Sequence, residues 1–174
     1  MQQIKLVIGL GNPGHSYYNT RHSIGFRVLD AFAQRHGLSW QSKNNMEYAE
    51  VVVNGTTVYL VKPQTFMNSS GAVVPSFLKK GITTENILVV HDELELPFGK
   101  LAVKCGGSAK GHNGLKSIIA ACGDQFQRLR FGIGRPVDRD QVPTYVLQKF
   151  SEDNQMVEGY INQAVDLLDS VLNK

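Results

Sequence analysis

At 174 residues, with 42% hydrophobic and 19% charged side chains, the chain is long enough to bury one core and too balanced in composition for a disordered, collagenous or coiled-coil protein. No apolar run approaches the roughly 20 residues that cross a bilayer, no signal-peptide pattern opens the chain, and the two cysteines, Cys105 and Cys122, form no C-x-x-C pair. One soluble cytosolic domain over residues 1–174 is therefore expected, without disulfides or a thiolate zinc site. The net charge of +3 is unevenly spread: residues 99–150 hold nine basic and three acidic side chains, and residues 151–174 one and five. Such a basic block is either a face for a polyanion or a set of solvated loop lysines.

Residues 4–8 form an apolar run stopped by Gly9-Leu-Gly-Asn-Pro-Gly14, a buried strand entering a glycine-rich turn. From Ser23 the spacing of Ile24, Val28, Leu29, Phe32 and Ala33 is helical, with Gly37 as its terminator. Residues 49–53 and 57–61 flank Asn54-Gly55, a strong hairpin signal. A short helix is predicted over 71–80, with Pro75 tolerated near its first turn, and strands over 86–91 and 100–105 follow. The glycine-rich stretch 106–114 leads into a helix carrying Leu115, Ile118 and Ile119 that stops at Gly123. In residues 128–133 Leu129, Phe131 and Ile133 alternate with Arg128 and Arg130, placing apolar and basic side chains on opposite faces of a strand. Residues 138–143 read as a polar loop, and Ser151 as the cap of a last helix with Glu152 and Asp153 in its first turn. Interspersed strands and helices with one obligatory antiparallel hairpin predict a single-domain α/β fold: a mixed twisted sheet with helices on both faces.

Gly9-x-Gly11-x-x-Gly14 has the spacing of a dinucleotide-binding turn. Pro13 and the polar run that follows delay the helix to about Ser23, however, and Asp30, spaced to hold a ribose, falls inside that helix. Gly106 to Gly111 has Walker spacing, but His112 and Asn113 stand where lysine and serine or threonine must hold phosphate and magnesium. The five histidines show no zinc-ligand spacing, so no metal is expected. His22 sits in a polar segment ahead of a helix, as a base near neutral pH would, and Asp92 at a strand's C-terminal end is the best-placed carboxylate to fix its tautomer. The residues alone leave three readings: a His-Asp general-base hydrolase, a non-catalytic phosphate-binding module, and a dinucleotide binder through the Gly9 to Gly14 turn.

Six ordered segments resemble the bacterial peptidyl-tRNA hydrolases: Gly9-Leu-Gly-Asn-Pro-Gly14, Thr20-Arg-His-Ser-Ile-Gly25, Lys62-Pro-Gln-Thr-Phe-Met-Asn-Ser-Ser-Gly71, His91-Asp-Glu-Leu-Glu-Leu-Pro-Phe-Gly99, Gly111-His-Asn-Gly-Leu-Lys116 and Arg128-Leu-Arg-Phe-Gly-Ile-Gly-Arg-Pro136. The resemblance implies a monomeric esterase without cofactor or metal that frees tRNA from a peptide for recycling. By position it assigns His22 as general base, Asp92 as its supporting carboxylate and Asn12 as the sensor of a blocked α-amine. It assigns Tyr17, Phe66, Asn68 and Asn113 to tRNA and peptide contacts, and Lys104 and Arg130 to tRNA phosphates. One departure is Ser108-Ala109-Lys110, where the family is often richer in Gly and His.

Overall fold

A computed structural model describes residues 2–174. Its strands are β1 (Leu6–Gly9), β2 (Gln41–Lys43), β3 (Met46–Val53), β4 (Thr56–Pro63), β5 (Ile87–Glu93), β6 (Leu101–Cys105) and β7 (Gln127–Gly132), joined in one sheet of order β2-β3-β4-β1-β5-β7-β6. β4, β1, β5 and β7 pair in parallel, whereas the β2-β3, β3-β4 and β6-β7 pairings are antiparallel. The helices are α1 (Ile24–Arg35), α2 (Val74–Leu78), α3 (Asn113–Cys122), α4 (Val142–Val146) and α5 (Asn154–Leu172). This is the mixed α/β sheet that the residue pattern predicts.

Two layers follow from the two-residue period of the strands. Val7, Leu88, Val90, Leu129 and Phe131 pack on one face with Val28, Leu29 and Phe32 of α1 and Ile161 and Leu168 of α5. Their chain neighbours Leu6, Ile8, Ile87 and Val89 pack on the other with Phe77 of α2 and Leu115 and Ile118 of α3. At the hairpin Asn54 and Gly55 both take positive φ, 51° and 77°, as a type I′ turn requires.

The glycines after β1 serve packing. A Cβ on Gly25 would lie 2.4 Å from the Leu10 nitrogen, and one on Gly11 2.7 Å from the Phe26 ring. Only glycine lets α1 settle this closely on β1. Two 3-10 turns, His15–Tyr17 and Arg21–Ser23, intervene between the glycines and α1, and the first turn of α1 packs so tightly on Leu10 and Gly11 that no pyrophosphate fits between them, so the dinucleotide reading falls.

Three local expectations are corrected. The helix predicted over 71–80 is a 3-10 segment, Met67–Val73, followed by a five-residue α2, because Gly71 is pressed against α3, where a Cβ would meet the Ser117 carbonyl at 2.2 Å. The loop expected over 138–143 contains a 3-10 turn and the start of α4, too short for helical periodicity to show. The cap of α5 is Asp153, whose carboxylate accepts from the Gln155 N–H at 2.7 Å, and not Ser151. Among the described residues no helix is long and apolar enough to cross a membrane.

From β1 the chain crosses toward β4, and from β5 toward β7, so the sheet's switch point lies between β1 and β5. In open α/β sheets ligands collect at the carboxyl ends of the strands flanking such a point. Asn12 follows β1 and Asp92 lies near the end of β5.

Candidate active site

Asp92 is buried at the switch point, and the 3-10 turn before α1 delivers His22 to it. Ser23 Oγ accepts the Asn12 N–H at 3.1 Å, which ties that turn to the end of β1. His22 Nδ1 lies 2.9 and 3.1 Å from the two Asp92 carboxylate oxygens. A third group completes the cluster: His112 Nε2 is 2.8 Å from Asp92 Oδ1, and the His22 and His112 ring centres are 4.7 Å apart.

His112 is the N-cap of α3, and its Nδ1 accepts from the backbone N–H groups of Gly114 and Leu115 at 3.1 and 3.3 Å. Nδ1 must therefore carry a lone pair, which puts the proton on Nε2 and makes it a donor to Asp92. His22, Asp92 and His112 bring ligand atoms within 4.8 Å of one another, a spacing a cation could use. Coordination through His112 Nε2 would drive its proton onto Nδ1, against two backbone N–H groups, so the donor set suits hydrogen bonding better than a metal shell.

Burial on its own would lower the His22 pKa and raise that of Asp92. For His22 the charge and hydrogen bond of Asp92 prevail, lifting it above 6.5, and the two imidazoles hold the Asp92 carboxyl well below its usual range. Neighbouring His91, fully enclosed, is pushed by burial down to about 3 and stays neutral, its Nδ1 held by the Asp92 carbonyl at 2.8 Å. With His22 Nδ1 taken by Asp92, Nε2 is the ring nitrogen left to act.

A cleft of about 490 Å³ opens on this cluster, with His22, Asp92, Lys104, Asn113 and Arg130 in its wall. Asn12 lines a smaller hollow of about 260 Å³, while Tyr17, Phe66 and Asn68 line neither. Two contacts tie these residues to the site. Asn12 Oδ1 accepts the Met67 N–H at 2.8 Å, between Phe66 and Asn68, and Met67 lies on α3 so closely that a Cβ on Gly114 would stand 2.5 Å from its sulfur. Tyr17 meets Phe66, itself 59% exposed, edge to face at 6.1 Å. Asn68 and Asn113 are exposed, and their side chains make no hydrogen bond among the described residues. Neither caps a helix, since Phe66 and His112 occupy those positions.

Lys104, Lys110, Arg128, Arg130, Arg135 and Arg139 border the cleft, against Glu93 and Glu95. Arg128, 3% exposed, is committed to the loop above it, donating to the Gly107 carbonyl and, at 2.7 Å, to that of Ser108. Arg135 is paired with Glu95, whereas Arg130 approaches Glu93 only to 3.9 Å. The acidic tail lies elsewhere, on α5, where Glu158 pairs with Arg27 and Asp166 and Asp169 with Arg35 of α1. The basic block is thus not neutralised by the acidic one.

The family model described as peptidyl-tRNA hydrolase matches residues 6–174. The chain belongs to the peptidyl-tRNA hydrolase family. A peptidyl-tRNA hydrolase of Rhodopseudomonas palustris strain BisB18 is 44% identical over 175 residues, covering 95% of this chain and 86% of its own, and that of Halalkalibacterium halodurans is 44% identical, covering 94% and 89%. The crystal structure of peptidyl-tRNA hydrolase from Acinetobacter baumannii superposes with a TM-score of 0.91 at 35% identity, covering 99% of this chain and 91% of that one.

As a peptidyl-tRNA hydrolase the protein cleaves peptidyl-tRNA, whose scissile bond is an acyl ester at the 3′ end of an RNA. A buried imidazole backed by a carboxylate is the equipment for activating water beside that ester. His112 escapes a reading of the sequence that looks for motifs. Its place is hidden because Asn113, a commoner N-cap residue, follows it, yet His112 takes the cap.

Proposed function

We propose that His22 is the general base of this peptidyl-tRNA hydrolase, an inference carried by its Nδ1 contact with Asp92, which leaves Nε2 free at the cleft. Nε2 takes a proton from water as the oxygen attacks the ester carbonyl. The imidazolium then returns that proton to the ribose 3′ oxygen as the C–O bond breaks, leaving a free peptide carboxylate and tRNA. Asp92 stabilises the imidazolium, and the amides of Asn12, Asn68 and Asn113 supply donors for carbonyl oxygen without titrating. No metal or cofactor enters this scheme. We propose that the protein acts as a monomer, and a substrate made at the ribosome supports a cytosolic address.

Asn12 has one role to spare. Its oxygen is held by the Met67 N–H, so the side chain presents its NH2 as a donor. A donor suits the acyl carbonyl of a blocked amino end and offers nothing to a free ammonium, itself a donor. Asn12→Asp keeps an acceptor for Met67 and replaces the free donor by an acceptor. The ratio of kcat/KM for N-acetyl-aminoacyl-tRNA over aminoacyl-tRNA is expected to fall at least about tenfold. An unchanged ratio would remove Asn12 from the recognition of blocked substrates.

Lys104 and Arg130 are proposed as contacts to tRNA phosphates, and Tyr17 and Phe66, which meet edge to face, as an aromatic contact for tRNA or peptide. Lys104→Ala or Arg130→Ala is expected to raise KM for peptidyl-tRNA, to flatten the log-log salt dependence by about one unit, and to leave kcat nearly unchanged. A minimal substrate without the tRNA body decides the matter: equal impairment on it would place both residues at the ester.

A further inference from the structure

The turn that carries His22 cannot hold its own place. It is three residues of 3-10 helix, a geometry with weak hydrogen bonds, and Thr20 before it spends its hydroxyl on the Tyr17 carbonyl rather than on a cap. Its last residue, Ser23, is tied to Asn12, and the brace at its start comes from a segment more than 120 residues away. Thr20 bridges Lys149, the Arg21 N–H donates to the Gln148 carbonyl at 3.0 Å, and the Arg21 guanidinium donates to the Tyr145 carbonyl at 2.9 Å and the Gln148 side chain at 3.3 Å, with Ser151 Oγ at 3.5 Å. The same guanidinium lies 3.7 Å from the centre of the Tyr145 ring.

Arg21 is 4% exposed, and among the described residues no carboxylate stands within ion-pair distance of it. A charge buried without a counter-ion is an expensive fastener, since apolar contact would join two segments at lower cost. What arginine provides is a rigid fork that reaches three acceptors and a ring face on one segment at once. That segment matters to the cleft: Tyr145 belongs to α4, whose Val142, Pro143 and Val146 line it, and the Tyr145 hydroxyl is anchored to the Ile133 carbonyl at 2.5 Å. Its burial also removes Arg21 from direct contact with a tRNA phosphate.

We propose that Arg21 is a positioning residue that holds His22 against Asp92 by fastening its turn to the α4 wall of the cleft. The proposal rests on the reading of His22 as base. The groups facing His22 are Asp92 and His112, and Arg21 acts only through the placement of the turn. If that placement loosens, His22 loses part of the carboxylate's support, and its protonation moves down toward that of a free histidine, near pH 6.5.

The test is the pH profile of kcat/KM for N-acetyl-aminoacyl-tRNA in Arg21→Met, which keeps an unbranched apolar stem, and in Tyr145→Leu, which removes the ring from the other end of the link. Thermal melting is recorded for both, and His22→Ala is run beside them. We expect kcat to fall about tenfold or more in each folded variant and the acid limb to shift to lower pH. A folded variant, even one that melts earlier, whose kcat and acid limb match the parent would overturn the proposal. If Arg21→Met does not fold, Tyr145→Leu decides alone by the same criterion. Should His22→Ala retain turnover, the base assignment itself fails, an outcome distinct from an unmoved limb in the other two.

Discussion

His22→Ala is expected to lower kcat for release of tRNA from N-acetyl-aminoacyl-tRNA by roughly 100-fold to 10,000-fold, the usual contribution of a positioned base. KM should change little, because in the proposed role the side chain acts on the reacting water and not on the tRNA body. A variant that keeps near-parental turnover would place the base elsewhere. The parent's pH dependence carries the same information with a definite sign. His22 must be neutral to accept a proton, and Asp92 favours its protonated form, lifting its pKa above 6.5. Activity should therefore fall as pH drops through a value above that of a free histidine, and the acid limb should vanish from whatever residual rate His22→Ala retains.

Much of this site is legible in the residues because it obeys local rules. His22 lies just ahead of a clear helical pattern and Asp92 at the end of an apolar strand, so strand-end logic alone brings them near one another. The register of β5 with β7 carries out the alternation of Leu129 and Phe131 against Arg128 and Arg130 as expected, with both apolar side chains in the core. What escapes is whatever depends on distant partners. Arg128 looks identical to Arg130 in sequence, yet only the fold turns one inward to hold the Gly107 and Ser108 carbonyls and leaves the other at the cleft. Arg21 adjoins His22, but its partners Tyr145, Gln148 and Ser151 lie across a segment read as loop. The role of Asn12 changes in detail for the same reason: a long-range bond to Met67 converts an amide that could both give and accept into a donor.

Asp92→Asn carries the second large effect, and its size follows from His112. An asparagine at 92 leaves one oxygen for two imidazoles and puts an NH2 where the second oxygen stood. His112 Nε2 is bound to be a donor, because its Nδ1 already accepts two N–H groups at the start of α3, so the oxygen turns to the Oδ1 position at 2.8 Å. The NH2 then occupies the Oδ2 position, 2.9 Å from His22 Nδ1, so that this nitrogen keeps only the longer 3.1 Å contact with the oxygen it shares with His112 and faces a donor beside it, which favours a change of tautomer. That change puts the proton on Nε2 and disables the nitrogen that should accept from water. Asp92→Asn is accordingly expected to lose roughly 100-fold in kcat, less than the loss of His22 itself because the amide oxygen still touches the imidazole, with little change in melting temperature. His112→Ala in the same background releases the constraint, since the amide can flip and return its oxygen to His22 Nδ1. The double variant should therefore be at least about tenfold faster than Asp92→Asn alone, a departure from additivity that only coupled groups produce. Steady-state kcat for the two single variants and the double measures it directly. A parental rate in Asp92→Asn would remove the carboxylate from the mechanism, and a double variant no faster than Asp92→Asn would show that His112 does not dictate which way the side chain at 92 faces.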